Sequence, residues 1–263
     1  MGNDRILCRI LCFANQKGGV GKTTSALNIA ACLARAGKQV LMVDADPQGN
    51  LTSGIGVRKK NVRKTVYDVL IGQATAEEAT VRTGVKGLSL IPSGIDLVGA
   101  ELELADEPRR EFRLKDALEM LRAQYDYIII DCPPALGLIT VNTLTAADGV
   151  VIPMLCEYYS LEGLSQLSNT IRLIRKQYNP PLELVGVLVN MYDGRLNLTV
   201  SVLEEIKKFF PGKLFRTPIP RSVRISEAPS HGLSILDYDR NGKGAAAYAA
   251  VARELIDRCE HST

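Results

Sequence analysis

The chain has 263 residues, 46% of them hydrophobic and 23% charged, enough to bury a sizeable core as one α/β domain. Its 32 Lys and Arg against 29 Asp and Glu leave a net charge of +3, too near neutral for bulk charge to announce a nucleic-acid partner, so any basic patch must be local. No apolar run approaches the roughly 20 residues that cross a bilayer, and position 6, where N-myristoylation needs Ser or Thr, is Ile6.

In chain order, the opening "RILCRILCF" and "ILCFAN" read as a first strand, and "KTTSALNIAACLARAG" as a helix with Gly37 in its C-cap place. "QVLMVDAD" is a second strand; residues 52–110 are more irregular. "RLKDALEMLRAQY" has helical spacing, and "YDYIIIDCPP" and "GVVIPM" are strands. The helix "SLEGLSQLSNTIRLIRKQY" stops before Pro180, the strand "LVGVLVNMYD" follows, and the helix "LTVSVLEEIKKFF" stops at Pro211. Residues 211–243, with Pro218, Pro220 and Pro229, read as a long ordered loop before a last helix, "GAAAYAAVARELIDRC". Strands with little polar interruption, alternating with helices, predict a doubly wound, mostly parallel sheet with helices on both faces, spanning 1–263 as a single domain. Ligands in such sheets bind beyond the carboxyl ends of the strands, which here run out at Asn15, Asp44, Asp131 and Asn190. The six cysteines lie mostly in apolar segments with no metal-ligand spacing and read as reduced thiols of a cytosolic protein.

The stretch "FANQKGGVGKTTSALNIA" puts a glycine cluster between a strand and a helix, the context of a phosphate-binding loop. Gly18, Gly19 and Gly21 let the backbone through Val20 and on to Thr24 wrap closely, so that its N–H groups face phosphate oxygens at a helix N-terminus. Lys22 then reaches the β- and γ-phosphates, and the Thr23 hydroxyl serves Mg²⁺. The general pattern has glycine where this chain has Gln16, and it has no use for the extra Lys17.

"KGGVGKTT" resembles the deviant Walker A motif, in which the first lysine crosses a dimer interface to the phosphates held by the other subunit. That resemblance gives Lys17 a role like an arginine finger supplied in trans, and makes ATP dimer glue as well as substrate. In "VDADPQGN" it implies that Asp46 orients the attacking water and Asp44 supports the metal's water shell. Asp131, ending "IIID", takes the Walker B position and acts on Mg²⁺ through water; the rival reading is a cap on the next helix. Asn190 falls where relatives read adenine, and Pro220 of "TPIP" where the base is covered. Longer stretches, "CEYYSLEGLSQL" and "TPIPRSVRISEAPSHGLSILDYD" among them, are similar to the ParA/Soj group of chromosome- and plasmid-partitioning ATPases. About a dozen residues precede the loop, so the N-terminal helix-turn-helix extension of larger relatives is not expected.

The group implies an ATP-dependent homodimer that binds double-stranded DNA without sequence preference, is stimulated by a ParB-like centromere-binding protein, and sits on the nucleoid in the cytoplasm. Arg195, Arg221 and Arg224 are the candidate DNA contacts, and the run Arg58, Lys59, Lys60, Arg63, Lys64 is a rival patch or simply a solvated face. His231 reads as an ordinary loop residue. A MinD-like membrane-cycling ATPase should end in a basic amphipathic helix, and "RELIDRCEHST" is of mixed charge. A nitrogenase-reductase-like carrier needs cluster cysteines in a glycine-rich context that Cys132 and Cys156 lack. A nucleotide-switched scaffold with little turnover differs only in lacking hydrolysis, against which Asp46 argues.

Overall fold

The computed structural model describes residues 8–157, 160–195 and 197–260. The first residues of "RILCRILCF", together with Ile6, Tyr158 and Tyr159, lie outside them. Seven strands, β1 (Arg9–Phe13), β2 (Val40–Asp44), β3 (Val81–Arg82), β4 (Leu88–Ile91), β5 (Tyr127–Asp131), β6 (Gly149–Leu155) and β7 (Glu183–Asn190), form one sheet in the order β3-β4-β2-β5-β1-β6-β7. All neighbours are parallel except β3, which pairs antiparallel with β4. From β1 the chain winds out one way through β2 to β4, returns through β5, and winds out the other way through β6 and β7.

Strand alternation builds two cores at once. In β1, Ile10 and Cys12 enter the core on one face, and Leu11 and Phe13 that on the other, so an unbroken apolar strand is what the position requires. Over the second face lie α1 (Lys22–Arg35) and the short α2 (Asn50–Gly54). The first face is covered by α3 (Val66–Leu70), α4 (Ala76–Ala79), α5 (Leu97–Glu103), α6 (Arg113–Glu119), α7 (Leu138–Ala146), α8 (Ser160–Gln177) and α9 (Asn197–Phe209). The second face is completed by α10 (Val223–Glu227), α11 (Ile235–Tyr238) and α12 (Lys243–Glu260).

The five long strands and the helices α1, α8, α9 and α12 fall where the sequence puts them. Gly37, at φ +90°, closes α1: its N–H bonds Ala34 O and that of Lys38 bonds Leu33 O, the pair of a left-handed helix stop. Three expectations need correction. The stretch called irregular holds β3 and β4, which are two and four residues long and too short for a periodic signal. The helix "RLKDALEMLRAQY" ends at Glu119; beyond it Leu121, Arg122 and Gln124 make i→i−3 bonds, while Arg122 turns in to pair with Asp148 and Cys8 O at 2.9 Å each. The loop 211–243 contains α10, α11 and a 3₁₀ turn at Ala228–His231, each shorter than the window in which helical periodicity can be read.

All six cysteines are free; Cys8, Cys12, Cys32 and Cys132 are buried, and burial pushes the Cys8 and Cys32 thiols up to about 12. Among the described residues no helix is long and apolar enough to cross a membrane.

Candidate nucleotide site

The glycine-rich loop joins β1 to α1 at the carboxyl edge of the sheet. Gly19 and Gly21 have φ of +74° and +85°, left-handed values that favour glycine. A side chain at Gly18 or Gly19 would meet nothing within 4 Å, so the loop encloses open space. Helix α1 starts at Lys22 behind Gly21, its N-cap residue, with no side-chain cap and no acid in its first turn. Its first N–H groups and its dipole are therefore left for an anion. Val20 is buried beneath the loop, whereas Thr23 and Thr24 are partly exposed on the first turn of the helix.

The two lysines of the loop differ in setting. Lys22 is 7% exposed, its ammonium folds back to Lys17 O at 3.4 Å, and burial draws its pKa below the usual lysine value, opposed by Asp131, Cys132 and Asp46. Lys17 has a side chain 39% exposed, paired with Glu157 two residues beyond β6. Its backbone N–H is fixed by Asn15 Oδ1 at 3.0 Å, and Asn15 itself donates to Pro153 O at 2.7 Å.

Asp44 and Asp131 are register partners, the last residues of adjacent parallel strands, and both are fully buried. Asp44 is held by the Thr52 N–H at 2.8 Å and hydroxyl at 2.6 Å, but burial still raises its carboxyl to about 6. Asp131 is raised well above the carboxylate range by burial and then by Asp44, with Thr23 and Lys22 opposing. Neither oxygen of Asp131 has a hydrogen-bond partner of good geometry. Its rival reading as a cap fails, because α7 begins only at Leu138, behind Gly137.

A buried, unpartnered carboxylate beside a lysine and a threonine hydroxyl fits a divalent cation that supplies the missing charge. Among the described residues no three His, Cys, Asp or Glu side chains converge as a cage. That donor set suits Mg²⁺, which keeps waters and takes one or two carboxylates plus phosphate oxygens.

Asp46 follows in the loop after β2, half-buried, with its Oδ1 accepting from the Gln48 N–H at 2.9 Å. Asn190 ends β7 against the loop: its amide donates to Val20 O at 2.8 Å and Ser25 Oγ at 3.1 Å. Asn190 and Pro220 line one cavity of about 300 Å³ together with Gly21, Thr24, Arg221 and Tyr248. Arg195 is highly exposed and pairs through two nitrogens with Asp193, at 2.8 and 2.6 Å, which draws that carboxyl down to about 2. Arg221 is exposed and near enough to act on Asp193 as well, because Tyr192 and Pro220 form a bridge. Arg224 lies over the Tyr238 ring at 5.8 Å and pairs with Glu227 at 3.4 Å. His231 stacks on the same ring. Thr52 and Glu157 were not legible as site residues, since nothing local marks either as the partner of Asp44 or Lys17.

An AAA-domain family profile matches residues 8–184. The sporulation initiation inhibitor protein Soj of Bacillus subtilis is 55% identical over 247 residues, 94% of this chain and 98% of Soj. The chromosome partitioning protein ParA of Myxococcus xanthus is 50% identical over 250 residues, 95% of this chain and 88% of that protein. Among solved structures, cobyrinic acid a,c-diamide synthase from Mycobacterium smegmatis with an ATP analogue and magnesium superposes with a TM-score of 0.86 at 38% identity, covering 98% of each chain.

Proposed function

The chain belongs to the Soj/ParA family of P-loop proteins, and on that premise we propose that it hydrolyses ATP with Mg²⁺ to move a chromosome or plasmid. It does so as a homodimer closed by ATP, which binds DNA without sequence preference and is stimulated by a ParB-like partner. One observation carries the nucleotide part: the buried Asp131, with both oxygens unpartnered, stands in register with Asp44 behind an uncapped helix start and Lys22.

In this reading the N–H groups of residues 18–24 and the Lys22 ammonium neutralise the triphosphate. Thr23 would hold Mg²⁺, with Asp131 acting on it through water and Asp44 in support, and the ion would offset charge on the phosphate oxygens. Asp46, in the short connection between β2 and α2, orients the attacking water. Asn190 and Pro220 wall the cavity taken by the adenine. Lys17 acts on the partner's phosphates; its exposure, against the burial of Lys22, supports two separate tasks. For DNA, Arg195 and Arg221 lie on segments joined by the Tyr192–Pro220 bridge and Arg224 lies on the adjoining α10; phosphates must displace Asp193 from Arg195 and Glu227 from Arg224.

The test is DNA binding at fixed salt with ATP, with ADP and without nucleotide, on two unrelated duplexes. Binding to both, with ATP only, is expected. Binding indifferent to nucleotide, or confined to one sequence, overturns the reading.

A further inference from the structure

Beside the turn that carries Asp46 lies a second, open cleft of about 550 Å³, within the size range of small-ligand sites. Pro47, Gln48, Lys59, Arg63, Ser93 and Asp96 are among the residues that line it. Lys59 and Arg63 are exposed and make no ion pair among the described residues. Their neighbour Lys64 instead pairs with Asp68 at 3.1 Å, and Asp68, also in the cleft, is further satisfied by the Thr65 N–H at 2.9 Å. Asp68 and Asp96 are the two acids that line the cleft. Ser93 is 2% exposed and its hydroxyl has no hydrogen-bond partner. A buried hydroxyl in that state is uncommon in a folded protein and leaves a donor available at the cleft.

The cleft is wired to the neighbouring site. The Lys59 ammonium donates to Gln48 O, and the N–H of the same Gln48 donates to Asp46 Oδ1 at 2.9 Å. Gly49, at φ +60°, leaves no room for a side chain there: a Cβ would stand 2.7 Å from Lys59 Cε and 3.1 Å from Ser93 O. An anion that draws the Lys59 ammonium toward itself pulls on its bond to Gln48 O, in the loop that positions Asp46.

We propose that this cleft binds a phosphate group, held by Arg63, Lys59 and the Ser93 hydroxyl, and that occupancy frees Gln48 and slows ATP hydrolysis by loosening Asp46. Arg and Lys with a hydroxyl donor suit phosphate oxygens, and Arg58 and Lys60 nearby add charge for a polyanion. The effect on turnover rests on the role given to Asp46 above; the binding does not.

The experiment titrates inorganic phosphate, and separately a duplex of about 20 base pairs, into the full-length protein saturated with Mg·ADP so that the glycine-rich loop is filled. Parent, Arg63→Ala, Lys59→Gln and Ser93→Ala are compared, with urea unfolding as a check on each fold. Phosphate affinity should fall about tenfold in Arg63→Ala and Lys59→Gln, the loss of one charge-assisted contact. Added phosphate should slow the parent's turnover several-fold, and Arg63→Ala should keep the basal rate and lose that response. If only the duplex binds and only its affinity falls in the variants, the phosphate belongs to a DNA backbone. Equal affinity of folded parent and variants for both probes overturns the site. Phosphate binding that depends on Arg63 in a protein whose turnover does not change removes the link to Asp46 and leaves the site.

Discussion

Gly21→Ala should unfold the loop's anchorage, and the structure sets the size of the effect. A non-glycine residue at φ +85° costs roughly 1–2 kcal/mol. The new Cβ would also stand 2.7 Å from Asn190 Nδ2, so that amide must move. Moving it breaks its bonds to Val20 O at 2.8 Å and Ser25 Oγ at 3.1 Å, each worth about 1 kcal/mol net. The sum, about 3–4 kcal/mol, is a large share of the roughly 5–15 kcal/mol that holds a typical domain together. Gly18→Ala is the control: it has no left-handed φ and no neighbour within 4 Å, so it should stay within about 0.5 kcal/mol of the parent. Its methyl would instead intrude on the space kept for phosphate, and nucleotide affinity should drop about tenfold or more. Urea unfolding without nucleotide, with a fluorescent-ADP titration beside it, separates the two. Equal stability of Gly21→Ala and the parent, or equal destabilisation by both substitutions, would refute the argument.

Asp44, raised by burial to about 6 from 3.8, takes up a proton more readily folded than unfolded, so its ionisation costs the fold about 3 kcal/mol as pH climbs from about 4 to 6. Asp44→Asn should therefore be more stable than the parent at pH 7 and lose that advantage by pH 4, measured by urea midpoints without Mg²⁺; parallel pH profiles would sink this. Asp46→Ala should abolish turnover while an ATP-bound dimer accumulates on gel filtration; a variant that stays monomeric, or that hydrolyses normally, removes Asp46 from its role. Lys22→Ala should lose nucleotide affinity, whereas Lys17→Ala should bind ATP nearly as the parent does and fail to dimerise, and equal losses in a fluorescent-nucleotide titration would contradict the trans assignment. Arg195→Ala and Arg224→Ala, two contacts per dimer each, should weaken binding to unrelated duplexes alike and lower the slope of log K against log salt by roughly 2; an unchanged slope moves the DNA contact elsewhere.

Local demands explain what the sequence determined by itself. A strand buried on both faces tolerates little polarity, so "YIIID" and "VLMVD" announced β5 and β2 and put an acid at the end of each. The glycine-rich loop was equally legible, because left-handed backbone at Gly19 and Gly21 and an uncapped helix start are requirements of that segment alone. Register was not legible: nothing in either strand says that Asp44 and Asp131 lie side by side, since that depends on β5 inserting between β2 and β1. The same holds for Asn190 against Gly21, for Thr52 on Asp44, for Glu157 on Lys17 and for Lys59 on Gln48. Each joins segments whose proximity is set by strand order and helix packing, and no periodicity within a segment encodes its neighbour. Tertiary structure alone decided which polar groups were satisfied, leaving Asp131 and Ser93 buried without a hydrogen-bond partner of good geometry while Asp44, Asp68 and Asn190 were matched.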